Sequence, residues 1–455
     1  MFSKQLLDEL EKKCPETVMI RGVLENALPP DVVDAVFDSH RQDQYQRKIM
    51  FSTIVQILGA VVFKVRKSVN LACTMYRDHL DASVRAVFGK LNRTEPVLSA
   101  ALVRVAYERM AAVVDELGSA HRALFPGYQT LILDGNHLAA TDHRIGPLRR
   151  MGGGALPGVA VVVLDREREL FHSVELSADA YTQERVLGLE LIGWAKKGEL
   201  WIGDRNFCTS ANVWQLNHVG AGYLIRRHKV NVAFETVGKL KRVGETETGT
   251  VFEQAILIRN DHGDTMPARL IRVELNDPTR DGEVILELLT NLPKKFDAIR
   301  IADAYRQRWD IETGFAEVEK LFSGEIPALG QPGAALLAFC LALIAWSSMG
   351  VLKAALRKEH GHDKIVEELS MYYLVDMLLR HNHVVDVMGG EIDWHGHYSN
   401  LTPRQMANRM SRMARQIDLT VLKKNKRGPK KRLPKPKAAK NKPHFSTWRV
   451  INNIA

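Results

Sequence analysis

Between Gly333 and Leu352 the chain runs for twenty residues, GAALLAFCLALIAWSSMGVL, without a charge. That length can span a bilayer. The stretch is rich in Ala, Gly and Ser, it stands alone, and the chain around it is soluble in character. The pattern therefore predicts a buried core helix. With 45% hydrophobic and 25% charged residues, the 455-residue chain has the composition of a globular protein of two or three domains. Its four cysteines, Cys14, Cys73, Cys208 and Cys340, lie far apart. They suggest neither a disulfide framework nor a C-x-x-C zinc site, which fits a reducing cytosol. The N-terminus is charged throughout and lacks the apolar core of a signal peptide.

The net charge of +10 is unevenly placed. Lys423 to Lys442 holds eleven Lys or Arg and no acid; the remaining 52 basic residues face 53 acidic ones. Such a Pro-rich block is expected to be disordered and to bind nucleic acid. A solvated stretch with no partner is the plainer reading.

Residues 1–124 read as helices, with breaks at Pro29, Pro30 and Pro96. The character changes near residue 128. YQTLILDGNHL is a strand ending in Asp134, followed by an Asp-Gly turn. GVAVVVLDRERELFHSVEL suggests a hairpin with Asp165 at its charged tip. TQERVLGLELIGWAKKG reads as a helix capped by Thr182 and closed by Gly198. ELWIGDRNF is a second short strand ending in an aspartate, Asp204, followed by a helix and a strand. Residues 226–295 read as a β-rich insertion, residues 296–322 as one long helix, residues 361–420 as helical, and 421–455 as a basic tail.

That order is the order of a ribonuclease-H-like α/β core: 125–225 as its first part, the insertion, and 296–360 as its second part, flanked by helical regions. In such a core the first and fourth strands are neighbours, which sets Asp134 beside Asp204. Two carboxylates held that close repel unless a cation lies between them, and Mg2+ suits oxygen ligands. The helix after the insertion carries YRQRWDIETGFAEVEK. Tyr305, Arg308 and Glu312 fall on one face of it. Asp134, Asp204 and Glu312 form a DDE set, able to hold two Mg2+ ions for phosphodiester cleavage and strand transfer. Tyr305 and Arg308 suit phosphate contact. Taken singly, Asp134 and Asp204 are turn residues; Glu317 and Glu319 are rival third ligands. Asp142 is another acid nearby, His137 and His143 read as loop residues, and Trp309 as packing. The pairs His360/His362, His381/His383 and His395/His397 have a spacing that could bind a transition metal, though solvated helix ends explain them more simply.

These motifs resemble the DDE transposases of prokaryotic insertion sequences, insertion-sequence-four type, whose YREK signature is Y-x2-R-x3-E-x6-K. Tyr305, Arg308 and Glu312 match it; DGN at 134–136, GDRNF at 203–207 and LLTNLP at 288–293 also look like the family. The resemblance implies a metal-dependent DNA endonuclease and strand transferase using Mg2+, with Mn2+ as a substitute. It implies cut-and-paste transposition, terminal inverted repeats and target DNA as partners, a homodimer on DNA, a helical DNA-binding region at 1–124, and a nucleoid-associated cytoplasmic location. The signature lysine falls at Glu319. Lys320 is one place on and rotated about 100°, and is the candidate DNA contact. A catalytically weakened DNA-binding relative, or a nuclease without strand transfer, is the alternative.

Overall fold

The computed structural model describes residues 2–77, 80–260, 262–279, 282–388, 392–425 and 444–454. Seven helices come first: α1 Phe2–Lys13, α2 Pro15–Ala27, α3 Pro30–His40, α4 Phe51–Val62, α5 Val69–Met75, α6 Val84–Asn92 and α7 Pro96–Leu117. Prolines open α2, α3 and α7, where a missing N–H costs nothing. The side chains of Ser68 and Ser83 cap α5 and α6.

The strands that follow are β1 Gln129–His137, β2 Gly154–Leu156, β3 Val159–Asp165, β4 Leu170–Ser177, β5 Glu199–Gly203, β6 Gly222–Arg226, β7 Ala233–Thr246, β8 Gly249–Arg259, β9 Thr265–Leu275 and β10 Ile285–Thr290. Helices α8 Glu184–Ile192 and α9 Ser210–His218 lie between β4 and β6. All but β2 share one sheet of nine strands, in the order β4-β3-β1-β5-β6-β10-β9-β8-β7. β1, β5 and β6 run parallel, and β3 is antiparallel to β1. The first five strands of that order give the ribonuclease-H-like arrangement. The β-rich residues after Arg226 continue the same sheet, because β10 pairs antiparallel with β6.

Strand alternation sorts the two faces. Leu131, Leu133, Val161 and Val163 pack with Leu187, Leu191, Val213 and Leu216 of α8 and α9. Ile132, Ala160, Val162 and Leu164 face the larger core, shared with α7 and with helices α10 Ala298–Arg306, α11 Trp309–Leu321 and α12 Pro332–His360. α12 is long and apolar enough to cross a membrane, yet its apolar window is wholly buried in protein. It packs on α2, α4, α6, α7, α11 and β4.

The remaining elements are α13 His362–Glu368, α14 Met371–Met388, α15 Trp394–Tyr398, α16 Pro403–Ala414, β11 His444–Ser446 and α17 Thr447–Ile451. α16 also packs on α12, and Thr402 and Gln405 form its capping box. Most of the basic block, from Lys426 on, lies outside the described residues, as does the side chain of His383. The chain beyond the block rejoins the core: β11 pairs parallel with β2, and Arg449 Nε meets Asp179 at 2.7 Å. On the near side, the amide of Lys424 donates to the Glu368 carbonyl.

Four local expectations give way. Asp165 is fully buried and accepts from Tyr107, Gln129 and Arg168. The hairpin tip lies under α7, and those donors satisfy its charge. Gly135 makes no turn, since β1 continues to His137 and stays in register with β3. α8 ends at Ile192, and the Thr182 hydroxyl bonds Ser177 instead of capping it. The long helix over 296–322 divides at Gln307 and Arg308, where bonds tighten to i→i−3, as from Arg308 N to the Tyr305 carbonyl.

Candidate metal and DNA site

β1 and β5 pair in parallel as far as Leu133 and Gly203. The next residue on each strand is an aspartate, Asp134 and Asp204. Asp134 lies two residues beyond Ile132 and so projects from the face that α10 to α12 cover. Asp204 stands at the end of β5, at the head of a single 3-10 turn over 205–207.

Arg308 links strand and helix. Its Nη1 donates to Asp134 Oδ2 at 2.8 Å and its Nη2 to Glu312 Oε1 at 2.6 Å. The Asp134–Glu312 pair thus shares one guanidinium. Burial pushes the Asp134 carboxyl up to about 7; Arg308 and the Gly135 N–H oppose this, while Glu312 and Asp204 add to it. The Tyr305 phenol is also pushed up, by burial and then by Asp204. Its hydroxyl is buried with no hydrogen-bond partner among the described residues.

Asp204 has a different neighbour, Arg226 of β6. Arg226 Nη1 is 3.8 Å from Asp204 Oδ1, and its Nη2 pairs with Glu283 in the loop before β10. Glu283 also meets Arg205 at 3.1 Å. Asp204 Oδ1 is buried and accepts no hydrogen bond among the described residues.

Tyr305, Arg308 and Glu312 therefore gather with Asp134 and Asp204. Lys320 does not join them: its Nζ lies over the Tyr372 ring at 5.3 Å. Glu319 is exposed. Burial, with Glu319 nearby, pushes the Glu325 carboxyl up. Glu317 accepts from Trp346 Nε1 at 2.8 Å. Asp142 pairs with Arg144, and His143 lies against Phe445. Trp309 is 61% exposed beside Arg308, so packing does not account for it. Of the histidine pairs, His360 bonds the Ala414 carbonyl, His362 meets His121 and His381 meets Glu16. Among the described residues no group of three His, Cys, Asp or Glu stands close enough to hold a metal, the DDE set included, because Arg308 occupies the space between Asp134 and Glu312. The donor set nevertheless fits Mg2+: three carboxylates, one with a buried oxygen that accepts no hydrogen bond among the described residues.

Sequence reasoning missed Arg226 and Glu283. Each is an ordinary charge in a strand or loop until β6 and the loop before β10 set them at the end of β5.

Residues 125–346 match the transposase DDE domain. The match takes in Asp134, Asp204, Tyr305, Arg308 and Glu312, and it supports a DDE transposase. No curated protein matches the sequence. Among solved structures, the cryo-EM structure of the piggyBac transposase synaptic complex with hairpin DNA is similar over 89% of this chain and 86% of that one. The identity is 11% and the TM-score 0.35, a likeness too slight to bear on the site.

Proposed function

We propose that the chain is a cut-and-paste DNA transposase of the insertion-sequence-four type, cleaving at element ends and joining them to target DNA. The observation that carries this reading is the side-by-side placement of Asp134 and Asp204 where the β1–β5 ladder ends, with Glu312 tied to Asp134 through Arg308. Asp134, Asp204 and Glu312 would hold Mg2+, which supplies activation of the attacking oxygen and charge stabilisation at the leaving oxygen. Arg308 and Arg226 are placed to meet phosphate oxygens once the carboxylates have another counter-ion. In the proposed sequence, water opens the phosphodiester at the element end. The freed 3′-OH then attacks a phosphodiester of the opposite strand, forming a hairpin and expelling the 3′-OH of the flanking DNA, and water reopens the hairpin. After reopening, the 3′-OH joins the target. Paired ends call for a homodimer on DNA, and a chromosomal substrate calls for a cytoplasmic, nucleoid-associated protein.

A non-catalytic DNA-binding relative is the second reading. It is favoured by Glu319, which puts a carboxylate near Glu325 where the signature has lysine. The test uses duplexes cut from the DNA flanking the coding sequence, incubated with protein and Mg2+ or Mn2+ and run on a denaturing gel. Nicks and hairpins at inverted repeats support transposition. Metal-dependent nicks without hairpins or joining point to a nuclease, and binding without cleavage to the second reading.

A further inference from the structure

Glu184 opens α8 on the sheet face opposite Asp134, and its carboxylate lies over β1 at Gly135. A Cβ added to Gly135 would stand 2.2 Å from Glu184 Cδ and 2.3 Å from its Oε1. Gly135 has no positive φ among the glycines that do, so close approach, and not turn geometry, is what the glycine provides. The same carboxylate reaches the other aspartate motif: Oε2 accepts from Asn206 Nδ2 at 3.0 Å. Its Oε1 is 3.6 Å from His137 Nδ1, and the side chain is only 18% exposed. One helical turn along α8, a Cβ at Gly188 would lie 2.6 Å from the Phe207 ring. Residues 184 and 188 share one face of the helix. That face seats β1 one residue beyond Asp134 and the 205–207 turn immediately beyond Asp204.

The need for such a brace follows from the sheet. The β1–β5 ladder ends at the Leu133–Gly203 pair. Beyond it, side chains and not ladder bonds set one aspartate against the other. We propose that Glu184 is a positioning residue for the metal site, fixing Asp204 relative to Asp134 by holding Asn206 while resting on Gly135. This rests on the reading of those two aspartates as metal ligands. Groups that orient ligands from behind commonly change metal affinity tenfold or more.

The experiment measures Mn2+ binding to the protein without DNA, by electron paramagnetic resonance, together with the melting temperature. Glu184→Ala and Asn206→Ala should each weaken Mn2+ by about tenfold. Asn206 is exposed, so its replacement should leave melting unchanged and covers the case in which Glu184→Ala folds poorly. Glu184→Gln should stay within about twofold of wild type, because its amide oxygen still accepts from Asn206. The double variant Glu184→Ala/Asn206→Ala should bind no worse than either single one. Wild-type affinity in Glu184→Ala or in Asn206→Ala, a Gln variant as weak as Ala, or additive losses in the double variant each overturn the proposal. An Asp204→Ala control that binds Mn2+ as wild type does removes the ligand assignment, and the proposal with it. That failure shows in the control arm alone.

Discussion

Two buried clusters of charge flank the β1–β3 region, and they are balanced in opposite ways. Around Glu169, one carboxylate faces Lys353, Arg357 and His121. Burial alone would raise its pKa, but Lys353, the His121 hydrogen bond and Arg357 outweigh it and hold the carboxyl well below the usual range. Around Asp134, four acids, with Asp204, Glu283 and Glu312, meet three arginines, Arg205, Arg226 and Arg308, and burial wins, carrying Asp134 up to about 7. The first cluster is complete and pins the β3–β4 hairpin to α12. The second is short of positive charge, and the Mg2+ of the proposed function would supply it.

The comparison breaks most sharply in activity. Asp134→Ala, Asp204→Ala and Glu312→Ala should each cut cleavage by at least about a thousandfold while the fold and end binding persist. Gel assays beside thermal melts check this, and near-normal cleavage in any one variant removes that residue from the set. Glu169→Ala should do the reverse. It strands buried Arg357 and Lys353 and should cost about 3 kcal/mol in urea denaturation, with cleavage per folded molecule unchanged.

The two clusters should also drift oppositely with pH. Asp134 has a folded pKa near 7 against about 3.9 unfolded, so the stability it confers is present below pH 4 and lost as pH rises to about 7. Metal-free wild type should therefore lose roughly 1–2 kcal/mol more than Asp134→Asn between pH 4 and 8. Glu169, shifted downward, contributes stability above about pH 4 that is lost only on acidification. Parallel pH curves for wild type and Asp134→Asn would contradict the contrast. The smallest expected effect is at Arg308. Arg308→Gln frees Asp134 and Glu312 from their shared counter-ion and should tighten Mn2+ by about fivefold without DNA. Weaker binding would mean the guanidinium orders the ligands instead of competing with the metal.

Much of this was legible in the sequence. The succession of apolar runs gave the strand order, and the strand order set Asp134 next to Asp204. Helical spacing joined Arg308 to Glu312 even though the helix divides just before Arg308, because the divide tightens the helix without reversing it. What could not be read depended on partners distant in sequence. Asp165 looks like a solvated tip until Tyr107 and Gln129 are folded over it. Asp-Gly reads as a turn unless Glu184 is known to lie on the glycine. The return of β11 to β2 joins segments of three residues each, too short for any periodic signal.

α12 has a consequence for modularity. The DDE match closes at Trp346, inside the helix Pro332–His360. α2, α4, α6 and α7 pack on this helix from before the central sheet, and α13 and α16 from after it. A fragment cut at residue 346 would keep half a helix and bare the apolar faces that α7 and α16 cover. The inherited unit and the cooperative unit are thus different objects. An exchange of the N-terminal helices with those of a relative would have to bring a matching α12 surface with it, or the hybrid would lose the pillar on which the whole chain is assembled.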